Sequence, residues 1–233
     1  MSTALDSFLD KWRTRWPEWS QVESFIPEAQ RTQVVAWFSL LQEFDDILNT
    51  SGDPLPADAK LAWWGEELHS WAAQRSRHPL GRILEPVRAP WAELAQTLPD
   101  LIEARAPTAD PQQARQGLQA YATAVAAVEQ TMFDWRGGGD AAAAVLVQTL
   151  AQRLQDLGST AVPQSLKASE AEASVRQWSS ELLSQWPARV AGPRPRRMWS
   201  ALARSRQQAK ADGKAYAPKP IGVLWRCWWA ARG

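Results

Sequence analysis

Few side chains in this 233-residue chain have the type and spacing to do chemistry. Asp45 and Asp46 stand side by side at the end of an apolar-striped segment, with Asn49 just beyond. By themselves they read as solvated acids before the Ser51-Gly52-Asp53-Pro54 turn. Gln152 and Asp156 lie one helical turn apart near the end of a later stripe, where an acid is mildly unfavourable with the helix dipole. Glu66 and Glu67 form another pair. Paired carboxylates can do general acid–base work, but on a helix these two read as surface charges. His69 reads as a surface residue, and His78, before Pro79, as a capping or packed group at a turn. Two histidines argue against a His-rich metal centre or a haem pocket. The single cysteine, Cys227, excludes an internal disulfide and a CxxC zinc site, and it is far in sequence from either histidine. Gly137–Gly139 lacks the lysine of a phosphate-binding loop.

The elements that must position these groups all read as helices. No convincing strand alternation occurs. A short helix is expected from Ser7 to about Trp16, stopped near Pro17. Pro27 opens the next, on which Val34, Trp37, Phe38, Leu41, Phe44 and Leu48 recur every three or four residues. Further helices are expected over about 57–75, 80–87, 90–104, 110–133, 140–158, 169–186 and 195–213. Asp110 and Asp140 supply N-caps, and Gly158 a stop. The fold class is all-α: a single-domain helical bundle over residues 1–213, followed by a basic, Trp-rich tail over 214–233.

Composition adds two features. Hydrophobic residues are 45% and charged residues 22%, which excludes a mainly disordered chain. Tryptophan is several-fold above normal usage, at 15 residues. Most fall on apolar stripes and read as core, although aromatics also suit a cavity for a prenyl chain or carbocation. The net charge of +1 hides a split: residues 187–233 hold eleven Lys/Arg and one acid, Asp212. This basic segment could pair with the acidic remainder of the chain, or meet an anionic membrane surface. Nucleic acid is disfavoured, because no recognised module accompanies the charge.

Taken in order, Phe44-Asp45-Asp46-Ile47-Leu48-Asn49, Leu61-Ala62-Trp63-Trp64-Gly65-Glu66-Glu67-Leu68 and Arg77-His78-Pro79-Leu80 resemble the squalene/phytoene synthase family. Leu98–Arg105 and Leu118–Tyr121 resemble its next landmarks, and the likeness runs over roughly residues 30–165. Leu224-Trp225-Arg226-Cys227-Trp228-Trp229 resembles a tail of some members. The resemblance implies an isoprenoid-synthase-like bundle around a central cavity. In active members two aspartate-rich helices face each other at the cavity mouth and hold Mg²⁺ against the substrate diphosphate. That leaving group is anionic, so its departure beside a carbocation needs metal ions to neutralise it.

Both aspartate-rich motifs are incomplete here. On the first, Asp45 and Asp46 stand, but Asn49 takes the place of a third carboxylate. On the second, Gln152, Asp156 and Thr160 occupy the motif positions, leaving one acid. The resemblance thus implies metal ligands Asp45, Asp46, Asn49 and Asp156, ligand contacts from Gln152, Trp64 and Tyr121, and Mg²⁺ as cofactor only if the diphosphate site works. The degenerate motifs are similar to a divergent branch that includes a non-catalytic assembly factor of mitochondrial complex I.

Three functions stay open from sequence. One is a family protein without full prenyltransferase activity that binds an isoprenoid or other apolar ligand, or a protein partner, at a membrane surface. Another is an active Mg²⁺-dependent prenyl diphosphate transferase. The third is a non-catalytic interaction or assembly protein. The N-terminus lacks the apolar region of a secretory signal, and no apolar run approaches the ~18 residues that span a bilayer. The expected location is cytoplasmic, with peripheral membrane contact allowed.

Overall fold

The computed structural model describes residues 4–233, and they form helices and turns with no strand. Eleven α-helices follow in order: α1 Ala4–Arg15, α2 Trp19–Val22, α3 Glu28–Leu48, α4 Leu55–Ala72, α5 Gly81–Leu84, α6 Trp91–Glu103, α7 Pro111–Met132, α8 Ala141–Leu157, α9 Ala171–Gln185, α10 Arg194–Ala211 and α11 Pro220–Arg232. The arrangement is compatible with an isoprenoid-synthase-like helical fold.

Local chemistry sets the boundaries. The Asp110 and Asp140 side chains accept hydrogen bonds from the Gln113 and Ala143 amides, satisfying free N–H groups at the starts of α7 and α8. Gly158 turns the chain out of α8 at φ +57, a conformation that other residues resist. Gly81 opens α5, where an added Cβ would collide with that of Ser76 and lie 2.8 Å from the Trp71 indole nitrogen. The helix expected over 80–87 is correspondingly only one turn, Gly81–Leu84.

α3 runs through the middle of the bundle. Fourteen of its residues are buried, from Val34 to Leu48, and it packs on α1, α4, α5, α6 and α8. α6–α7–α8 form one run of neighbours and α9–α10–α11 another. α1 is attached by tryptophan. Trp12 meets Trp19 at 5.3 Å, Phe38 at 5.4 Å and Trp199 at 5.9 Å between ring centroids. Trp16 meets Trp199 edge-on at 5.6 Å. These contacts fix α1 against the middle of α3 and beside α10.

The segment read as a tail contains a helix. α11 rests on α10 and α2 with Val223 and Cys227 buried. Arg197 donates to the Ala230 and Ala231 carbonyls, and Arg189 to Gly233, satisfying groups that a helix C-terminus otherwise leaves free.

Candidate functional site

The two incomplete motifs come together. α3 delivers Asp45, Asp46 and Asn49 in and after its last turn, and α8 delivers Gln152 and Asp156. The amide groups of Asn49 and Gln152 each donate to Asp156, both at 2.9 Å. Arginines tie the helix ends. Arg153 donates to the Leu48 and Arg105 carbonyls, both at 3.0 Å, and Arg105 to the Ile47 carbonyl at 3.1 Å. These bonds satisfy C-terminal carbonyls of α3 and hold α8 against it.

Cations from α1 fill the space between the acids. Arg15 donates to Asp46 at 3.0 Å and forks onto both oxygens of Asp156. Lys11 donates to Asp46 and Glu43, each at 2.7 Å. Lys60 of α4 takes the other Glu43 oxygen. Burial opposes a charged Glu43, but the two lysines outweigh it and hold its carboxyl below the usual range. The same pairing outweighs burial at Lys11 and raises its ammonium. Charge-assisted, forked contacts of this kind are the strong class of hydrogen bond.

Asp45 is different. It points into the bundle, and burial pushes its carboxyl up to about 8; Arg15 opposes the rise, while Asp156 and Asp46 add to it. It is therefore protonated at neutral pH. Mg²⁺ needs ionised or strongly polar oxygen ligands in octahedral array. Here Asp46 and Asp156 are bound by a guanidinium, and Asn49 presents its amide nitrogen to Asp156. No group of three or more His, Cys, Asp or Glu among the described residues is arranged to hold a metal. This donor set does not fit the Mg²⁺ cluster that the resemblance implies.

The centre behind these acids is filled. Asp45, Tyr121, Gln148, Gln152, Arg196 and Trp199 help to line a cavity of about 10 Å³. That is the space of roughly one water, against the ~300 Å³ or more of ordinary ligand pockets. A buried ion pair occupies the interior beside it. Arg196 and Glu129 are 2% and 1% exposed, and Arg196 Nε lies 3.0 Å from both Glu129 oxygens. Trp37 Nε1 donates to Glu129 at 2.8 Å, and Arg196 donates to Gln148 at 3.2 Å. The guanidinium also sits 4.8 Å over the Trp199 ring. Burial raises the Tyr121 phenol well above its ordinary value, so it stays neutral.

Trp64 lies elsewhere. Phe44 separates it from Tyr121, with ring centroids 5.9 Å from Trp64 and 6.4 Å from Tyr121. It packs on His78 at 4.6 Å and Trp71 at 6.2 Å. Glu67, expected on the surface, is fully buried instead. It accepts from the Arg77 and His78 amides at 2.7 and 2.8 Å and from the Trp71 indole at 2.9 Å. Burial opposes its charge, and these donors more than offset that, holding its carboxyl low. It anchors the loop after α4. His78 accepts from the Leu80 amide through Nδ1, as a turn residue would.

Sequence reasoning did not find Lys11, Arg15, Glu129 or Arg196. A signal for the first two existed. Trp12 and Trp16, one turn apart, face the core, so Lys11 and Arg15 must share the adjoining stripe. Nothing local indicates where that stripe points.

Space lies outside the bundle's centre. A groove of about 1050 Å³ runs between α10, the 214–218 segment and α11, lined by Trp186, Tyr216, Trp225, Trp229, Arg197 and Arg204 among others. No helix of the described residues is long and apolar enough to cross a membrane. In comparisons with known proteins, no curated protein and no solved structure matches the chain. Residues 21–133 match the family model of squalene/phytoene synthase. That match takes in α3 and Asp45, Asp46 and Asn49, and stops before α8.

Proposed function

We propose, from the match of residues 21–133 to the squalene/phytoene synthase family model, that this protein has exchanged prenyl transfer for a binding role. One observation carries the reading: the Arg15 guanidinium joins Asp46 to Asp156, across the gap where the family would place metal and diphosphate. A fixed cation there neutralises the acids without a bound metal. It also brings its own covalent tether, so it cannot leave with a product. The filled centre supports the same conclusion, since a prenyl chain needs far more than about 10 Å³.

The mechanism of such a protein is recognition. Asp45, neutral and buried, serves packing at the core. Arg15, Lys11 and Lys60 hold the helix ends in one geometry. What remains for a partner is the surface. An isoprenoid or other apolar molecule, or a protein partner, has room in the groove beside α11 and none at the centre.

The test is release of diphosphate from farnesyl or geranylgeranyl diphosphate by the full chain, with and without Mg²⁺. The reading predicts no release above the enzyme-free rate. Mg²⁺-dependent release that Asp45→Ala and Asp156→Ala both abolish would restore the transferase reading.

A further inference from the structure

α11 is apolar on both sides. Its inner face buries Val223 and Cys227 against the body. Its outer face carries Ile221, Leu224, Trp225, Trp228 and Trp229, which recur at helical spacing. Ile221 is 83% exposed, Trp225 60% and Trp229 56%. A folded monomer seldom leaves a contiguous stripe of this kind in water, and such stripes mark interaction surfaces. The face is not a loose end. Arg197 and Arg189 bond the last carbonyls of the helix, and its tryptophans brace one another. Trp225 stacks on Trp228 at 5.4 Å, and Trp229 meets both edge-on. The stripe is thus presented in a fixed orientation.

The unpartnered charges around it have one sign. Of the basic C-terminal segment, Arg196 and Arg206 turn inward to Glu129 and Glu18. Arg204, Lys219 and Arg226 are exposed and have no carboxylate partner among the described residues. Arg232 lies 3.5 Å over the Trp228 ring. The segment's only acid, Asp212, faces Lys214 at 3.6 Å. An indole cluster rimmed by cations matches an anionic bilayer surface, where tryptophan sits at the headgroup level and Lys/Arg meet lipid phosphates. The thirteen residues of α11 span about 20 Å, short of the ~30 Å hydrocarbon core, so the helix lies in the interface plane.

We infer that the outer face of α11 is a docking surface for anionic phospholipid membranes, with Ile221, Leu224, Trp225 and Trp229 entering the interface and Arg204, Lys219 and Arg226 meeting the headgroups. The inference stands on α11 and its rim alone, and does not need the loss of prenyl transfer.

The test is co-sedimentation of the full chain with vesicles of equimolar phosphatidylglycerol and phosphatidylcholine, against phosphatidylcholine alone. Quenching of tryptophan by brominated acyl chains provides a second readout. Binding to the anionic vesicles is expected, weakening as salt rises. The double variant Trp225→Ser/Trp229→Ser changes exposed side chains only, and its fold is checked by its melting curve. It should bind roughly tenfold more weakly and lose quenching. Arg204→Gln/Lys219→Gln should also bind less and flatten the salt dependence. No binding to anionic vesicles, equal binding to both vesicle types, or unchanged binding by the tryptophan variant would overturn the inference and turn attention to a protein partner. Diphosphate release, measured separately, reports on the loss of catalysis whichever way the vesicles fall.

Discussion

The carboxylates of the two motifs have met different fates, and each predicts a different measurement. Asp46 and Asp156 are the carboxyl partners of Arg15, all three about a quarter exposed. Solvent competes at such a site, so Arg15→Ala should cost only about 1–2 kcal/mol in urea unfolding. Asp45 keeps its proton in the native state between its ordinary 3.8 and about 8, whereas the unfolded chain has released it. The folded form then binds more protons, so stability falls as pH rises across that window. Its contribution is roughly 1 kcal/mol per pH unit. Asp45→Asn should remove this slope, and unfolding curves at pH 5 and pH 7.5 would reveal it. A wild type equally stable at both pH values, with the variant unchanged, would place Asp45 in a wetter setting than its burial implies. At this scale the sequence carries the residues and hides their partners. Asp45, Asp46 and Asp156 are legible as motif remnants. The pairing of Asp46 and Asp156 depends on Arg15 of α1, more than thirty residues from either along the chain.

At the level of elements, much of the helical order follows from local chemistry. Asp110, Asp140 and Gly158 mark ends that the structure reproduces, because caps and positive φ are decided within one turn. α11 was harder to read. The run before it is Pro-punctuated, and apolar residues on both faces leave no single-faced stripe to mark a helix. Glu67 was misread for a related reason: its donors lie in a loop ten and eleven residues on, invisible to helical periodicity. The turn into α5 gives a direct check. Gly81→Ala sets a Cβ against Ser76 and the Trp71 ring, so thermal unfolding should show a loss of about 1–3 kcal/mol. A neutral outcome would mean that the Ser76 loop shifts freely and that Glu67 does not hold it.

Over the whole molecule, the helical bundle has a closely packed, charged interior. A buried Arg196–Glu129 pair with Trp37, Gln148 and Trp199 stands beside what is left of the cavity. Arg196 pairs with Glu129 inside that cluster, so removing the guanidinium leaves a buried carboxylate stranded. Arg196→Met should therefore destabilise by about 3–5 kcal/mol, read as a lower denaturant midpoint. The charge split visible in sequence resolves into two parts. Arg196 and Arg206 compensate interior acids, and the cations near α11 face outward.

The proposed loss of prenyl transfer has Arg15 standing where a metal-bound diphosphate would lie. Thermal unfolding of the full chain with farnesyl diphosphate, with and without Mg²⁺, tests it most directly, because a ligand that binds the native state must raise the melting temperature. No Mg²⁺-dependent rise is predicted. A Mg²⁺-dependent rise that disappears in Asp46→Ala and Asp156→Ala would contradict it, and would mean that Arg15 gives way to substrate.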